Sequence, residues 1–371
     1  MEAVSLPENM PQRMPQLDAV RGIAILLVMF VNTSEKYPQL HLQPIVGNGW
    51  MGVDLFFVLS GFLITGILLE ARDAPHYFKF FYARRALRIL PLYYAILLFM
   101  FVAVPLLRPS EAHTVFAKSS PWWAYPVFLQ NFLIAVPTMA AGPLGTTWSL
   151  AIEEQFYLVW PLVVRFCRPA ILRRLTATMI LCTPPFTYFL WKHGVLIYSN
   201  VFCRQVGLMA GALLALMLHS LRPQPGKYVK PAWILFPVAL ALAFGSEALG
   251  ARWLAFTMVA LAAAAFLLLA LHSQQAWLQA ALRNRFLRYT GKISYGLYLL
   301  HKIPVDLAQT FHLDRRPVML LPAAFAGSYV LAALSWTLLE QPFLRLKRFF
   351  PEPSVRFDGR PGEATSSGHG R

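Results

Sequence analysis

The sequence predicts an all-α integral membrane protein, a polytopic bundle of about ten transmembrane helices. Of its 371 residues, 57% are hydrophobic and only 13% are charged, whereas a soluble domain carries about 25% charged residues. Several apolar runs approach the roughly 20 residues that a helix needs to cross a bilayer. Long apolar runs favour helices over a membrane barrel, because barrel strands would appear as short alternating segments.

Basic residues cluster in alternate connections between the apolar runs, and this pattern predicts an orientation. Basic loops of membrane proteins lie on the cytoplasmic side, so the net charge of +16 needs no nucleic-acid partner. The alternation predicts that both termini are cytoplasmic. The predicted spans are 17–33, 52–70, 87–107, 148–166, 175–191, 203–220, 231–249, 253–271, 291–311 and 317–339.

The regions outside the spans define the domain organisation. Residues 1–16 are polar and are interpreted as a cytoplasmic N-terminal segment, not a cleaved signal peptide. Residues 17–345 form the transmembrane domain, and residues 346–371 have the composition of a disordered cytoplasmic tail. Residues 122–136 are apolar but short, which predicts an interfacial or re-entrant element. The three cysteines show neither a disulfide framework nor metal-ligand spacing.

The first predicted span carries two polar side chains, Arg21 and Asn32. They are eleven residues apart, so they share one helix face at heights that differ by about 16 Å. Ionisable groups inside lipid are costly and therefore indicate function. Either the two residues form a polar stripe facing a cavity, or Arg21 anchors the helix at the interface and Asn32 ends it.

The second span begins with a carboxylate, Asp54, close to small residues that allow helices to approach each other. Asp54 could orient an acceptor hydroxyl or pair with a cation. Alternatively, it could cap the N-terminus of the helix, where the dipole favours negative charge. Gly52, Ser60 and Gly61 predict close packing of this span against a neighbour.

Three arginines, Arg84, Arg85 and Arg88, lie at the cytoplasmic start of the third span. Spacings of three and four residues place Arg88 beside both of the others. Such a cluster suits a multiply phosphorylated ligand, because guanidinium groups bind phosphate bidentately. The alternative is that these arginines only anchor the cytoplasmic end of the helix.

The fourth span begins with Trp148 and carries Ser149, Glu153 and Tyr157 at four-residue spacing, hence on one face. Glu153 could act as a base or hold a hydroxyl group, whereas the adjacent Glu154 fits a capping role.

His301 lies within the ninth span. It could exchange a proton near neutral pH, or it could be a hydrogen-bonded packing residue.

Five sequence blocks together resemble the membrane-bound acyltransferase family 3, which O-acylates cell-surface glycans and other extracytoplasmic acceptors. The resemblance covers roughly residues 17–345. The blocks are Leu17-Asp18…Arg21-Gly22, Gly52-Val53-Asp54…Ser60-Gly61-Phe62-Leu63, Thr147-Trp148-Ser149…Glu153-Glu154-Gln155-Phe156-Tyr157, Ile293-Ser294-Tyr295…Tyr298-Leu299-Leu300-His301 and Glu340-Gln341-Pro342-Phe343.

The resemblance implies a multi-pass enzyme of the bacterial inner membrane that uses acyl-CoA, most simply acetyl-CoA, and no metal. Arg85 and Arg88 match the family's Arg-x-x-Arg motif at the donor end, and Arg21 matches its basic first-span residue. Its implied acceptor is a glycan or a lipid-linked molecule. The expected catalytic residues are Asn32, Asp54, Glu153 and His301, and the expected substrate-binding residues are Trp148, Ser149 and Tyr157.

One position departs from the family pattern, since Asn32 stands where the family has a histidine that activates the acceptor hydroxyl. An amide cannot accept a proton usefully at neutral pH. One alternative is that another group, such as His301, Glu153 or Asp54, replaces the base. A second is that the substrate differs, since heparan-type membrane acetyltransferases look similar in carrying Asn at a comparable first-span position. The third alternative is a chain that has lost transfer and acts as a transporter or flippase.

Overall fold

The computed structural model describes residues 14–36, 47–107, 120–134, 144–220, 225–310 and 317–350. Every regular element within these ranges is helical. The main helices are α1 (Pro15–Lys36), α2 (Met51–Glu70), α3 (Tyr77–Leu98), α4 (Trp148–Phe166), α5 (Pro169–Lys192), α6 (Val201–Ser220), α7 (Val229–Ala248), α8 (Arg252–His272), α9 (Ala276–Leu282), α10 (Arg285–Lys292), α11 (Ser294–Leu300), α12 (Lys302–Thr310) and α13 (Pro317–Ser335).

Seven stretches of the described chain are long and apolar enough to cross a membrane. Each overlaps a predicted span. They are Pro15–Thr33, Gly47–Glu70, Tyr77–Leu107, Val201–Ser220, Gly226–Ala248, Arg252–His272 and Leu321–Phe349. The predicted spans at 148–166 and 175–191 correspond to the continuous helices α4 and α5, of 19 and 24 residues. The chain is an all-α, polytopic membrane protein.

The predicted span at 291–311 is interrupted, and proline explains the second of its two breaks. Turns at Ile293 and His301 separate α10, α11 and α12. Pro304 lacks the N–H that would reach back to the carbonyl of Leu300, so the helix breaks at His301. The π-helical turns Phe99–Ala103 and Trp336–Glu340 also lie just before prolines, at positions 105 and 342.

Two predicted boundaries differ from the structure. Helix α3 begins at Tyr77, about three turns before the apolar run at residue 87, because the basic amphipathic stretch that precedes this run is helical too. The C-terminal helical turns end at Phe349, inside the segment predicted to be a disordered tail. Residues 1–13 and 351–371, which make up most of the two predicted terminal segments, lie outside the described residues.

The apolar segment after α3 does not form a long helix. Its described residues, 120–134, contain the 3₁₀ turn Trp122–Ala124 and the five-residue helix Gln130–Ile134, which are too short to cross a bilayer. Buried Gln130 donates hydrogen bonds from Nε2 to the hydroxyl of Tyr93 (3.3 Å) and to the carbonyl of Thr147 (3.1 Å). These bonds connect the segment to α3 and to the start of α4. The predicted element extends to residue 136, and residues 135–136 lie outside the described ranges.

Helices α2 and α6 make the most extensive helix contact of the described bundle, and glycines bring their backbones together. A Cβ atom on Gly61 would lie 2.0 Å from the carbonyl oxygen of Leu208, and one on Gly211 would lie 2.0 Å from that of Val58. Both distances are impossible for real atoms. The two helices therefore touch backbone to backbone, as small residues permit in membrane proteins.

Replacing Gly211 by alanine is expected to lower the free energy of unfolding by about 1–3 kcal/mol, because the added methyl group must push α2 and α6 apart. Thermal unfolding of the detergent-solubilised protein measures the change. Gly245→Ala in α7 is the matched control, since a Cβ atom there meets nothing within 4 Å. Equal unfolding temperatures for the two variants would contradict the close approach.

Candidate functional site

A cavity of about 310 Å³ lies within the bundle. Its longest wall is α2, which contributes residues at the spacing of one helix face, from Val53 to Ile67. Fourteen residues of helix correspond to about 21 Å, so the cavity extends through much of the bundle. The other walls come from α1, α3, α4, α11 and the C-terminal helical turn.

Basic side chains dominate the charge of the cavity. Five cations line it, whereas Glu153 is the single carboxylate among its described lining residues. Arg21 donates from Nη1 to Oδ1 of Asp18 at 2.7 Å. The cations are Arg21, Arg84, Arg85, Arg88 and Lys347. An excess of guanidinium groups in one cavity is suited to an anion that carries several phosphates.

The C-terminal turn belongs to this basic region. Arg84 donates from Nη1 to the carbonyl oxygen of Phe350 at 2.8 Å, and the rings of Phe80 and Phe350 meet edge to face. These contacts hold Lys347 at the cavity wall. Sequence reasoning missed Lys347, because the Pro- and Gly-containing composition that follows it predicted disorder from residue 346 onward.

Hydroxyl groups surround the carboxylate of Glu153. The Oγ of Ser60 donates to Glu153 Oε1 at 2.7 Å, and the hydroxyl of Tyr157 donates to Ser60 Oγ at 3.1 Å. A second pair of hydroxyls, Ser149 and Tyr298, are hydrogen bonded to each other and also line the cavity. The predicted face of α4 that carries Ser149, Glu153 and Tyr157 therefore points into the cavity.

The basic region and the hydroxyl cluster meet at Arg85. Its guanidinium carbon lies 5.8 Å from the ring centroid of Tyr157, and Tyr157 contacts Ser60 and Glu153. The basic side chains and the carboxylate of Glu153 are thus adjacent. This arrangement can bind a phosphorylated donor and activate a hydroxyl beside it.

Four predicted site residues lie outside the cavity lining: Asn32, Asp54, Trp148 and His301. Asn32 donates from Nδ2 to the carbonyl of Val28 in its own helix at 2.9 Å. His301 is buried, and its Nδ1 lies 2.9 Å from the carbonyl oxygen of Tyr298. The ring of Trp148 packs against Phe57. Asn32 and His301 thus bond to nearby main chain, so the structure does not place them with Glu153.

Asp54 forms a buried ion pair, which was one of the alternatives that the sequence left open. Its Oδ2 accepts a hydrogen bond from Arg204 Nη2 at 3.0 Å, and both side chains are fully buried. The α2 N-terminus has no side-chain cap. Five aromatic rings surround the Arg204 guanidinium, with centroids 4.3–5.9 Å away: Trp50, Phe57, Trp148, Tyr198 and Phe256.

Sequence reasoning missed Arg204, although a signal for it exists. It is the one charged residue between Val201 and Leu218, inside an otherwise apolar span. A cation at such a position is costly unless it faces a partner. The partner is 150 residues away in sequence, so the pairing itself could not be read from local spacing.

Among the described residues, no group of three or more His, Cys, Asp or Glu side chains could hold a metal ion.

Known proteins resemble this chain over most of its length. "Putative peptidoglycan O-acetyltransferase YrhL" of Bacillus subtilis (strain 168) is 31% identical, over 88% of this chain and 54% of the relative. "Putative O-acetyltransferase" of Staphylococcus aureus (strain MSSA476) is 28% identical, over 89% of this chain and 57% of the relative. "Peptidoglycan O-acetyltransferase OatA" of Listeria monocytogenes is 25% identical, over 88% of this chain and 55% of the relative. The chain thus spans a little more than half the length of these relatives, and no solved structure matches it.

A family model described as an acyltransferase domain matches residues 14–338, which is nearly the whole described bundle. This match confirms the resemblance seen in the five sequence blocks. The match includes most of the residues that line the cavity, among them the arginines of α3 and the Glu153 cluster of α4. The chain therefore belongs to this acyltransferase-domain family.

Proposed function

We propose that the protein transfers an acetyl group from cytoplasmic acetyl-CoA to a hydroxyl group of a glycan or lipid-linked acceptor outside the bacterial inner membrane. The observation that carries this proposal is the continuous cavity, which joins the five cations to the cluster of Ser60, Glu153 and Tyr157. A donor with several phosphates and an acceptor hydroxyl require these two environments side by side.

The basic region suits the donor. Arginines bind phosphates bidentately, and Arg88, Arg85 and Arg21 all face the same cavity. The apolar residues of α2 beside them, such as Leu63 and Ile67, suit the uncharged arm and the acyl group of an acyl-CoA. In this proposal, the phosphates bind to the cations and the thioester points toward Glu153.

The positions of the chain ends support donor entry from the cytoplasm. Arg21 lies in the second turn of α1, and Lys347 lies three residues before the end of the described chain. Both line the basic part of the cavity. If both termini are cytoplasmic, as the distribution of basic loops indicates, the cations face the compartment that contains acyl-CoA.

Glu153 is the proposed base that activates a hydroxyl group. Asn32 is hydrogen bonded within its own helix and lies outside the cavity lining. In this proposal, a different residue therefore activates the acceptor hydroxyl, as the histidine does in the family. Of the three alternatives for Asn32, this geometry favours a replacement base. The acceptor class is supported by the relatives from Bacillus subtilis and Listeria monocytogenes, which are named for peptidoglycan O-acetylation.

Arg88→Ala is expected to raise the Kd for acetyl-CoA by about ten- to a hundredfold, because a hydrogen bond to a charged group contributes about 1.5–3 kcal/mol. Calorimetric titration of the protein in lipid nanodiscs measures the change. Arg174→Ala removes an exposed arginine of α5 outside the cavity and should leave the Kd unchanged. Equal Kd values for wild type and Arg88→Ala would exclude Arg88 from the donor site.

The complete reaction is tested in cells. Mass spectra of surface glycans and lipids are compared between the parent strain, a clean deletion and the deletion carrying the wild-type gene. We expect the deletion to lose a mass corresponding to an acetyl group, and the wild-type gene to restore it. An unchanged acylation pattern, together with an intermediate that accumulates on one side of the membrane, would instead support the transporter or flippase alternative.

A further inference from the structure

We propose that Ser60 is a nucleophile that carries the acyl group as a covalent ester between donor and acceptor. This inference rests on the proposed function, because it requires an acyl-CoA donor. Ser60 lines the cavity, and its Oγ donates to the carboxylate of Glu153 at 2.7 Å. A hydroxyl bonded to a base is the arrangement that activates a serine nucleophile.

Among the described hydroxyls of the cavity, Ser60 alone donates to a carboxylate at short distance. Tyr295 donates to the carbonyl of Ile89 at 2.6 Å, and Ser149 is hydrogen bonded to Tyr298. Tyr157 donates to Ser60 Oγ itself, at 3.1 Å. It therefore supplies a hydrogen bond that stabilises the negative charge developing on Ser60 Oγ when the proton leaves.

The position of Ser60 suits a carrier. It lies midway along the α2 wall, seven residues from both Val53 and Ile67, hence about 10 Å from each end of that wall. The guanidinium of Arg85 contacts the ring of Tyr157, so a donor held by the cations ends near Ser60. An acyl group on Ser60 would then be within reach of an acceptor that enters the cavity from the end opposite the cations.

The size of the cavity favours two successive half-reactions. Its volume of about 310 Å³ is at the lower end of the range of about 300–1,000 Å³ for pockets that hold one small-molecule ligand. A covalent carrier lets the donor and the acceptor occupy this space in succession, because the acyl group stays on the protein between the two half-reactions.

Both half-reactions balance with the residues present. In the first, Ser60 Oγ attacks the thioester carbonyl and its proton passes to Glu153; the C–S bond breaks, and the thiolate of CoA takes the proton. In the second, Glu153 accepts the proton of the acceptor hydroxyl, whose oxygen attacks the Ser60 ester. The bond between Ser60 Oγ and the acyl carbon breaks, and Ser60 Oγ takes the proton back from Glu153.

The test uses purified full-length protein in nanodiscs with radiolabelled acetyl-CoA and no acceptor. We expect wild type to release about one equivalent of CoA in a rapid phase and to retain one acetyl label on the peptide that contains Ser60. Ser60→Ala should lose the label and slow CoA release by about a hundredfold or more. Ser220→Ala removes an exposed serine at the end of α6, outside the cavity, and should label like wild type.

A second variant separates nucleophilic from structural roles. Ser60→Cys should still take up the label, now as a thioester that neutral hydroxylamine cleaves faster than the wild-type ester. If wild type and Ser60→Ala acetylate acceptor equally and neither retains a label, transfer is direct; the inference is then wrong and the proposed function stands. If wild type neither binds nor cleaves acetyl-CoA, both are overturned.

Discussion

Glu153→Gln is expected to reduce acetyl transfer by about 10²–10⁴-fold, the range that a positioned general base contributes. Glutamine has nearly the same shape and can still accept a hydrogen bond from Ser60, but its amide cannot take up a proton. Because the Arg85 and Arg88 side chains are unchanged, the Kd for acetyl-CoA should change little. The rate of CoA release in the presence of acceptor, measured beside donor binding, separates the two effects.

The control for this variant is Glu247→Gln, which neutralises a carboxylate paired with Arg252 near the end of α7, outside the cavity. It should transfer acetyl groups at the wild-type rate. If Ser60 and Glu153 act as a unit, the double variant Ser60→Ala with Glu153→Gln should be no slower than the slower single variant. Losses that multiply in the double variant would show that the two residues act independently.

Arg204→Met is expected to lower the free energy of unfolding by about 3–5 kcal/mol, the cost of leaving a buried charge without its partner. The carboxylate of Asp54 is fully buried and has no other side-chain cation at hydrogen-bond distance in the described structure. Thermal unfolding in detergent measures the loss. Tryptophan fluorescence reports on the same region, since Trp50 and Trp148 contact the guanidinium.

Adding Asp54→Leu to Arg204→Met should recover most of the lost stability, because a buried ion pair can often be replaced by apolar side chains of similar volume. Arg252→Met is the matched control. It breaks the exposed pair with Glu247 and should cost no more than about 1 kcal/mol. A double variant as unstable as Arg204→Met alone would show that the cation matters through its aromatic neighbours and not through Asp54.

Much of the bundle could be predicted from the sequence, because lipid imposes a simple rule on it. Every backbone amide in the membrane must be bonded internally, so a long apolar run has to be a helix. The same rule gives no information about which spans touch. Asp54 and Arg204 lie in different spans and form their pair only because α2 and α6 pack together, which depends on Gly61 and Gly211.

The part of the candidate site that lies on shared faces of single helices could be predicted from the sequence. Arg85, Arg88, Glu153 and Tyr157 were found because their spacing along single helices places them on shared faces. Ser60 was assigned to helix packing together with Gly61, whereas adjacent residues on a helix point about 100° apart. Gly61 therefore faces α6 while Ser60 faces the cavity, and only the packing of several helices shows the difference.

The backbone contact between α2 and α6 also determines which parts of the protein can move. Two helices that interlock at Gly61 and at Gly211 cannot slide or rotate independently without a clash of carbonyl oxygens. They therefore behave as one rigid body, and the α2 wall of the cavity is stationary relative to α6. Any opening of the cavity would therefore come from displacement of its other walls, α1, α3, α4, α11 or the C-terminal turn, with α2 and α6 as the fixed frame.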